Sequence, residues 1–333
     1  MDQPTEPPRA TFLTAVKRAF TVVIGGADQD LERLLDEAAP EAEPAVVEPP
    51  APAPSHPARK APPRISRATT RPIHGFDWVT IPRGPFLMGS DPAADPEALD
   101  SEQPQHQVLV EEFHIARLPV TLAQFAAFVH ATGYRTTAEE AGWAWAWLDA
   151  GWQSVRGACW SRPLGPAFPV ADPAHWPVTQ VSWHDAQAFC AWAKVRLPTE
   201  SEWEKAARGI DGRRYPWGNQ MPEAGLCNCN NIQGGINAAG QCPSGASPYG
   251  ALDMSGNTWE WCASKWRPDY TTPPDDDPAG SDPRVVRGGS FNGDGGLVRC
   301  AARGRLNLSF RDSTVGFRVV AAGLSFDLRK SRS

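Results

Sequence analysis

Two cysteines separated by one residue, in the stretch "CNCNN", are the first side chains of this sequence whose type could carry chemistry. Thiolates at Cys227 and Cys229 could hold a soft metal. One intervening residue is nevertheless a poor spacing for zinc, and no second Cys or His pair follows at a suitable distance, so they read as loop cysteines. A group of tryptophans, Trp143, Trp145, Trp147, Trp152 and Trp160, could stack on a ligand such as a sugar, but reads first as cover for a core. The third candidate is "RGGSFNGDGGLVRCAARGRLNLSFRDSTVGFRVV", Arg287 to Val320, where a framework of Arg, Ala and β-branched residues is interrupted in no periodic order. Such a mixture suits a rigid scaffold carrying loops whose side chains can change at little cost.

The elements that must position these residues are short. From about His74 the chain is rich in Trp, Gly and brief apolar runs. "FDWVTIPRGPFLMGS" reads as a hairpin and "QHQVLVEEFHIAR" as part of a strand pair. "TLAQFAAFVHATG" reads as a helix with Thr121 as N-cap and Gly133 as C-cap. A second helix, "SWHDAQAFCAWAKV", turns Ala186, Phe189, Cys190 and Ala193 to the core, and a third, "TESEWEKAARG", opens on a capping box from Thr199 to Glu202. Few helices, short strands and much irregular chain make the class α+β.

Ahead of this domain, residues 1–39 carry two short amphipathic patterns, Phe12, Leu13, Val16 and Phe20, then Leu31, Leu34 and Leu35, split by Gly25 and Gly26. Two helices this short bury little, so the hairpin is expected to dock on a signalling or effector protein. Residues 40–73 form a linker, with nine prolines between Pro40 and Pro63. Residues 74–323 are the folded domain and 324–333 a basic tail. A net charge of −6 excludes a general nucleic-acid binder. No 18-residue apolar run exists to span a membrane. The seven cysteines are an odd number at irregular spacings, which fits reduced thiols and a cytoplasmic location.

"RLPTESEWEKAARG", "YPWGN", "GNTWEWCAS", "RGGSF", "RCAAR" and "VGFRVV" follow one another in this order and together resemble the formylglycine-generating enzyme (sulfatase-modifying factor) family, from about Phe76 to Ala322. The resemblance implies a variant of the C-type lectin fold. It also implies copper held by two cysteines between the "GGS" and "CAAR" motifs, where this chain has "FNGDGGLV" and no cysteine. Cys300 matches a family disulfide cysteine whose partner position holds Ala207, and Cys190 another, with Val319 opposite. A branch resembling ergothioneine-type sulfoxide synthases uses iron on three histidines, and the histidines here, His114 and His184 among them, are scattered. Neither copper nor iron is therefore expected. "DMSGNTWEW" matches a calcium site of the family, with side-chain oxygens from Asp253 and Glu260 and carbonyls from Gly256 and Thr258, a donor set that suits a hard cation.

Within this family the segment from about 287 to 320 also looks like the variable region of proteins diversified by retroelements, where template asparagine codons become almost any N-N-pyrimidine codon. The framework is Val298, Arg299, Cys300, Ala301, Ala302, Arg303, Arg305 and Arg311. The remaining positions are Asn292, Gly293, Asp294, Gly295, Gly296, Leu297, Gly304, Leu306, Asn307, Leu308, Ser309, Phe310, Asp312, Ser313 and Thr314, all of types reachable that way. Arg287, Arg299, Arg303 and Arg318 are expected to bind carbonyls and carboxylates beneath this surface. The expected function is a non-catalytic protein that binds a protein ligand through a diversified surface. The alternative is a metal-dependent oxidase or sulfoxide synthase of the superfamily.

Overall fold

Apolar runs of four or five residues, broken by Gly and Pro, give strands too short to stand alone, and long-range pairing gathers them into sheets. The computed structural model describes residues 75–149, 151–170 and 174–322. The expected helical hairpin, linker and basic tail lie outside the described residues. In the first sheet β1 (Trp78–Ile81) pairs antiparallel with β4 (Phe113–Ala116), Val79 opposite Ile115. Two-residue strands complete it: β12 (Val320–Ala321) lies between β4 and β7 (Val195–Arg196). The last described strand thus joins the sheet of the first, with β4 between them.

The expected hairpin over residues 76–90 does not form. The second strand, β2 (Gly84–Met88), pairs instead with β3 (His106–Val110), Phe86 opposite Val108. The cause is at the turn, where the Lys205 ammonium donates to the carbonyls of Pro82 and Gly84, at 2.6 and 2.9 Å. Those carbonyls serve a buried cation rather than a cross-strand ladder.

The helices begin where their capping residues predict. Thr121 Oγ1 accepts the Gln124 N–H and the Gln124 side chain accepts the Thr121 N–H, opening α1 (Leu122–Thr132), which ends at left-handed Gly133. The same reciprocal box opens α2 (Thr137–Ala141) at Thr136, α3 (Trp183–Ala193) at Ser182 and α4 (Glu200–Arg208) at Thr199. The helix α3 buries Ala186, Phe189, Cys190 and Ala193 as its pattern requires. Phe189 stacks on Phe125 of α1 at 5.8 Å and meets Phe317 edge-on at 5.4 Å, which ties the helix layer to the C-terminal strands. A second apolar cluster forms where Trp203, Ala206 and Ala207 of α4 meet Met254, Cys262, Val285 and Cys300. Cys300 and Ala207 share this cluster, Cys190 and Val319 share the first, and all seven cysteines are buried and unbridged.

The second sheet runs β10 (Arg303–Leu306), β9 (Arg284–Arg287), β8 (Trp259–Lys265), β11 (Val315–Gly316), with β11 parallel to β8. Over one end of it reaches a tryptophan-rich hairpin, β5 (Trp143–Leu148) and β6 (Gly151–Arg156), docked through a bridge between Trp145 and Asp312. Among the described residues, strands in small sheets and four short helices make a fold of mixed helix and strand with few helices.

Candidate functional site

Four buried arginines hold the segment from Arg287 to Val320 in place. Arg299 grips both oxygens of Glu102 at 2.7 and 2.8 Å, and Arg303 both oxygens of Glu200 at 2.7 and 2.8 Å. Arg318 takes both oxygens of Glu260 at 2.5 and 2.8 Å. Arg287 binds Glu204 and donates to the carbonyls of Ala301 and Cys300 at 2.8 and 2.9 Å. A planar guanidinium matches a carboxylate with two parallel bonds, and remaining donors reach backbone carbonyls, so each charge leaves water with its partners attached. Here the sequence expectation for these arginines agrees with the geometry.

On this frame the segment shapes a concavity of about 640 Å³. Its walls include Trp147 and Trp152 from the β5–β6 hairpin, Trp259 from β8, Leu297, Leu306 and Phe310. Asn292, Gly293, Asp294, Gly296, Gly304, Asp312 and Thr314 line it as well, with Glu97 and Leu99 from the loop before β3. The bend that forms one wall depends on Gly288 and Gly289, both at positive φ, 96° and 70°. A methyl on Gly289 would meet the Leu297 carbonyl oxygen and Val298 at 2.7 Å, closer than side chains pack.

Ten of the fifteen expected ligand-binding positions therefore come together around the cavity: Asn292, Gly293, Asp294, Gly296, Leu297, Gly304, Leu306, Phe310, Asp312 and Thr314. The other five do not. Gly295 faces Met221 and Pro222, Asn307 and Ser309 are exposed, and Leu308 packs in the main core. Ser313 is buried, its hydroxyl accepting the Trp147 N–H at 2.9 Å. The tryptophans read as core cover divide between two jobs, since Trp145 is buried while Trp147 and Trp152 line the cavity. The alternation in "WAWAW" does not signal this division, because residues two apart share one face of a strand, and what each meets is set by its position along the strand.

Asp312 is the cavity's singular side chain. It is fully buried, its Oδ1 accepts the Thr314 N–H at 2.7 Å and the Thr314 hydroxyl at 2.9 Å, and its Oδ2 has no hydrogen-bond partner. Its carbonyl accepts the Gln180 N–H at 2.9 Å, so the backbone is clamped between Gln180 and Trp145. Burial pushes its carboxyl up to about 7, against which the Thr314 bonds pull only partly.

Behind the same wall lie Cys227 and Cys229, their sulfurs 3.5 Å apart. The loop is tied to the cavity wall by Asn230 and Asn231, whose N–H groups donate to Gly293 and Phe291 carbonyls at 2.7 Å each. The bond between the thiols holds Cys229 down and, with burial, pushes Cys227 up.

The residues expected for calcium do not fit it as a set. Both Glu260 oxygens serve Arg318, and Trp203 Nε1 donates to one of them at 2.7 Å. Asp253 Oδ2 accepts the Gly240 N–H at 2.8 Å, and the Gly256 carbonyl accepts the Thr258 N–H at 2.9 Å. A carboxylate already neutralised by a guanidinium has little to offer a cation. Copper and iron fare no better. No thiol occurs between Ser290 and Val298, Cys300 is buried with its thiol pushed up to about 12, and among the described residues no group of three or more His, Cys, Asp or Glu could hold a metal ion.

Fold, arginine frame and cavity define a class of protein in which one C-terminal segment both closes the molecule and builds its site. The chain belongs to the formylglycine-generating enzyme family: the model of the sulfatase-modifying factor enzyme 1-like domain matches residues 65–322. It is 42% identical over 249 residues to a formylglycine-generating enzyme of Thermomonospora curvata, covering 64% of this chain and 82% of that one. It is 36% identical to a hercynine oxygenase of Mycolicibacterium smegmatis, covering 68% of this chain and 56% of the relative. In three dimensions it resembles PvdO from Pseudomonas aeruginosa with a TM-score of 0.59 at 23% identity, over 73% of this chain and 93% of the other, a likeness of fold.

These relatives overturn the expectation of a non-catalytic protein with a diversified recognition surface, because they include proteins named as a formylglycine-generating enzyme and as a hercynine oxygenase. The geometry supplies the physical reason. Gly293, Gly304, Leu308, Asp312, Ser313 and Thr314, six of the fifteen positions, are buried. Several have structural duties that free substitution would break, and the segment curves into a pocket rather than presenting a face.

Proposed function

We propose that this protein is an oxidase or oxygenase of the formylglycine-generating enzyme superfamily, that its fold is the C-type lectin-like variant expected from the motifs, and that its substrate is taken up in the cavity beside Asp312. The observation that carries the reading is the folding of the interval from Ser290 to Arg299 as the wall of a half-open, largely apolar concavity of about 640 Å³. That size suits a small molecule or one inserted side chain with its flanks. The names borne by the relatives point to oxidative chemistry.

Because the donors for copper or iron are not assembled here, the reading assigns no step to a metal at this place. What the chain's own residues do is narrower. The tryptophan and leucine walls give a ligand apolar area to pack on, the Arg299–Glu102 pair braces the lining, and Asp312 offers an ionisable oxygen. The test is oxygen uptake by the full chain, supplied separately with copper(I) and iron(II), against a cysteine-containing peptide and against hercynine with a thiol. Uptake with one probe that Leu306→Trp abolishes by filling the cavity is the expected result. No uptake with either probe, or uptake that survives Leu306→Trp, overturns the proposal.

A further inference from the structure

A desolvated carboxylate oxygen with no donor is rare in a folded protein, because it has given up water and received nothing in return. Asp312 Oδ2 is in that state while its twin, Oδ1, takes two donors from Thr314. The charged groups around it do not supply a partner. Arg299 is committed to Glu102 and Asp95, and Glu97 to Arg214. Arg311 lies over the Trp143 ring at 5.1 Å and donates to the Trp143 carbonyl at 3.2 Å.

We propose that the cavity receives a ligand whose ammonium group binds Asp312 Oδ2 and whose apolar body lies among Trp147, Trp152, Trp259 and Phe310. Three observations support a cation rather than an anion or a neutral hydrocarbon. The cavity lining carries three carboxylates, Asp312, Asp294 and Glu97, against two guanidiniums, Arg299 and Arg305, of which Arg299 is neutralised by Glu102 and Asp95, so the balance of the lining favours a cation. Its walls hold several aromatic rings, whose faces attract an ammonium and whose area suits an apolar body. A neutral hydrocarbon would leave Oδ2 as it is. Trp147 Nε1, also buried and without an acceptor, sits on the same cavity and would serve an oxygen on such a ligand. Burial alone pushes the Asp312 carboxyl up to about 7, and an ammonium beside it would hold the group ionised. This inference concerns occupancy and stands whether or not oxidation follows.

The experiment is calorimetric titration of the full chain at pH 7.5 with 2-phenylethylamine and with benzyl methyl ether, an isostere that lacks both charge and donor. The wild type should bind the amine about tenfold or more tightly than the ether, the range expected of a charge-assisted hydrogen bond. Asp312→Asn keeps an acceptor for Thr314 and should bring the two affinities within about twofold of each other. Equal binding by the wild type, or a preference that persists in Asp312→Asn, overturns the proposal. Trp147→Phe leaves Asp312 in place and covers the case in which Asp312→Asn does not fold. The amine should quench less tryptophan fluorescence in that variant while still outbinding the ether, and unchanged quenching would place the amine elsewhere and sink the assignment. Because binding is read directly, failure here is separable from failure of the oxygen-uptake assay.

Discussion

Asp312 couples protonation to folding. Its carboxyl is raised by burial to about 7 in the folded protein, against 3.8 for an unperturbed aspartate. The folded state therefore holds this proton more tightly than the unfolded chain does. Its contribution to stability is complete below pH 3.8 and is lost as the pH rises toward 7. Asparagine does not titrate, so between pH 4.5 and 7.5 the urea midpoint of Asp312→Asn should gain steadily on that of the wild type. A constant offset between the two curves would mean that Asp312 titrates normally. In the sequence this residue is one of fifteen irregular positions. Nothing in "FRDSTV" tells that Asp312 is inside while Asn307 and Ser309 are outside, because no period of 2 or 3.6 governs the segment.

At the scale of elements, the three longer helices were legible, while the short α2 and the strand pairing were not. Thr121, Ser182 and Thr199 each precede a residue at N3 that can return the bond, and local chemistry of that kind is decided within four residues. Strand partners are chosen by burial across the whole chain, so β2 leaves β1 for β3 once Lys205 arrives from a helix more than a hundred residues away. The bend from Gly288 to Val298 lies between these extremes. Its glycine pair signals a close approach, and only the fold reveals what is approached: Trp203 beneath Gly288, and Leu297 with Val298 against Gly289. Gly289→Ala should cost about 1–3 kcal/mol through its left-handed backbone and the contact with Leu297, measured by urea denaturation, and should lower cavity binding of 2-phenylethylamine. Unchanged stability would show that the bend relaxes without penalty.

Across the whole molecule, the thiols report how the chain is packed. All seven cysteines are buried and none is bridged. In the native protein a thiol-specific aromatic disulfide reagent should therefore titrate fewer than one equivalent over minutes, and about seven after unfolding in guanidinium, as burial limits access to each thiolate. Rapid reaction of two or more equivalents without denaturant would show that the loop carrying Cys227 and Cys229 opens. The sequence by itself determined the mixed class of fold, the capping boxes that open the helices and the membership of a family, because each rests on residues that interact with near neighbours or on motifs in fixed order. Only the tertiary structure decided that the irregular segment is a cavity wall, that Glu260 is spent on Arg318, and that Asp312 is left with one oxygen free. Those outcomes depend on which distant side chains arrive at the same place, and a linear pattern does not record the meeting.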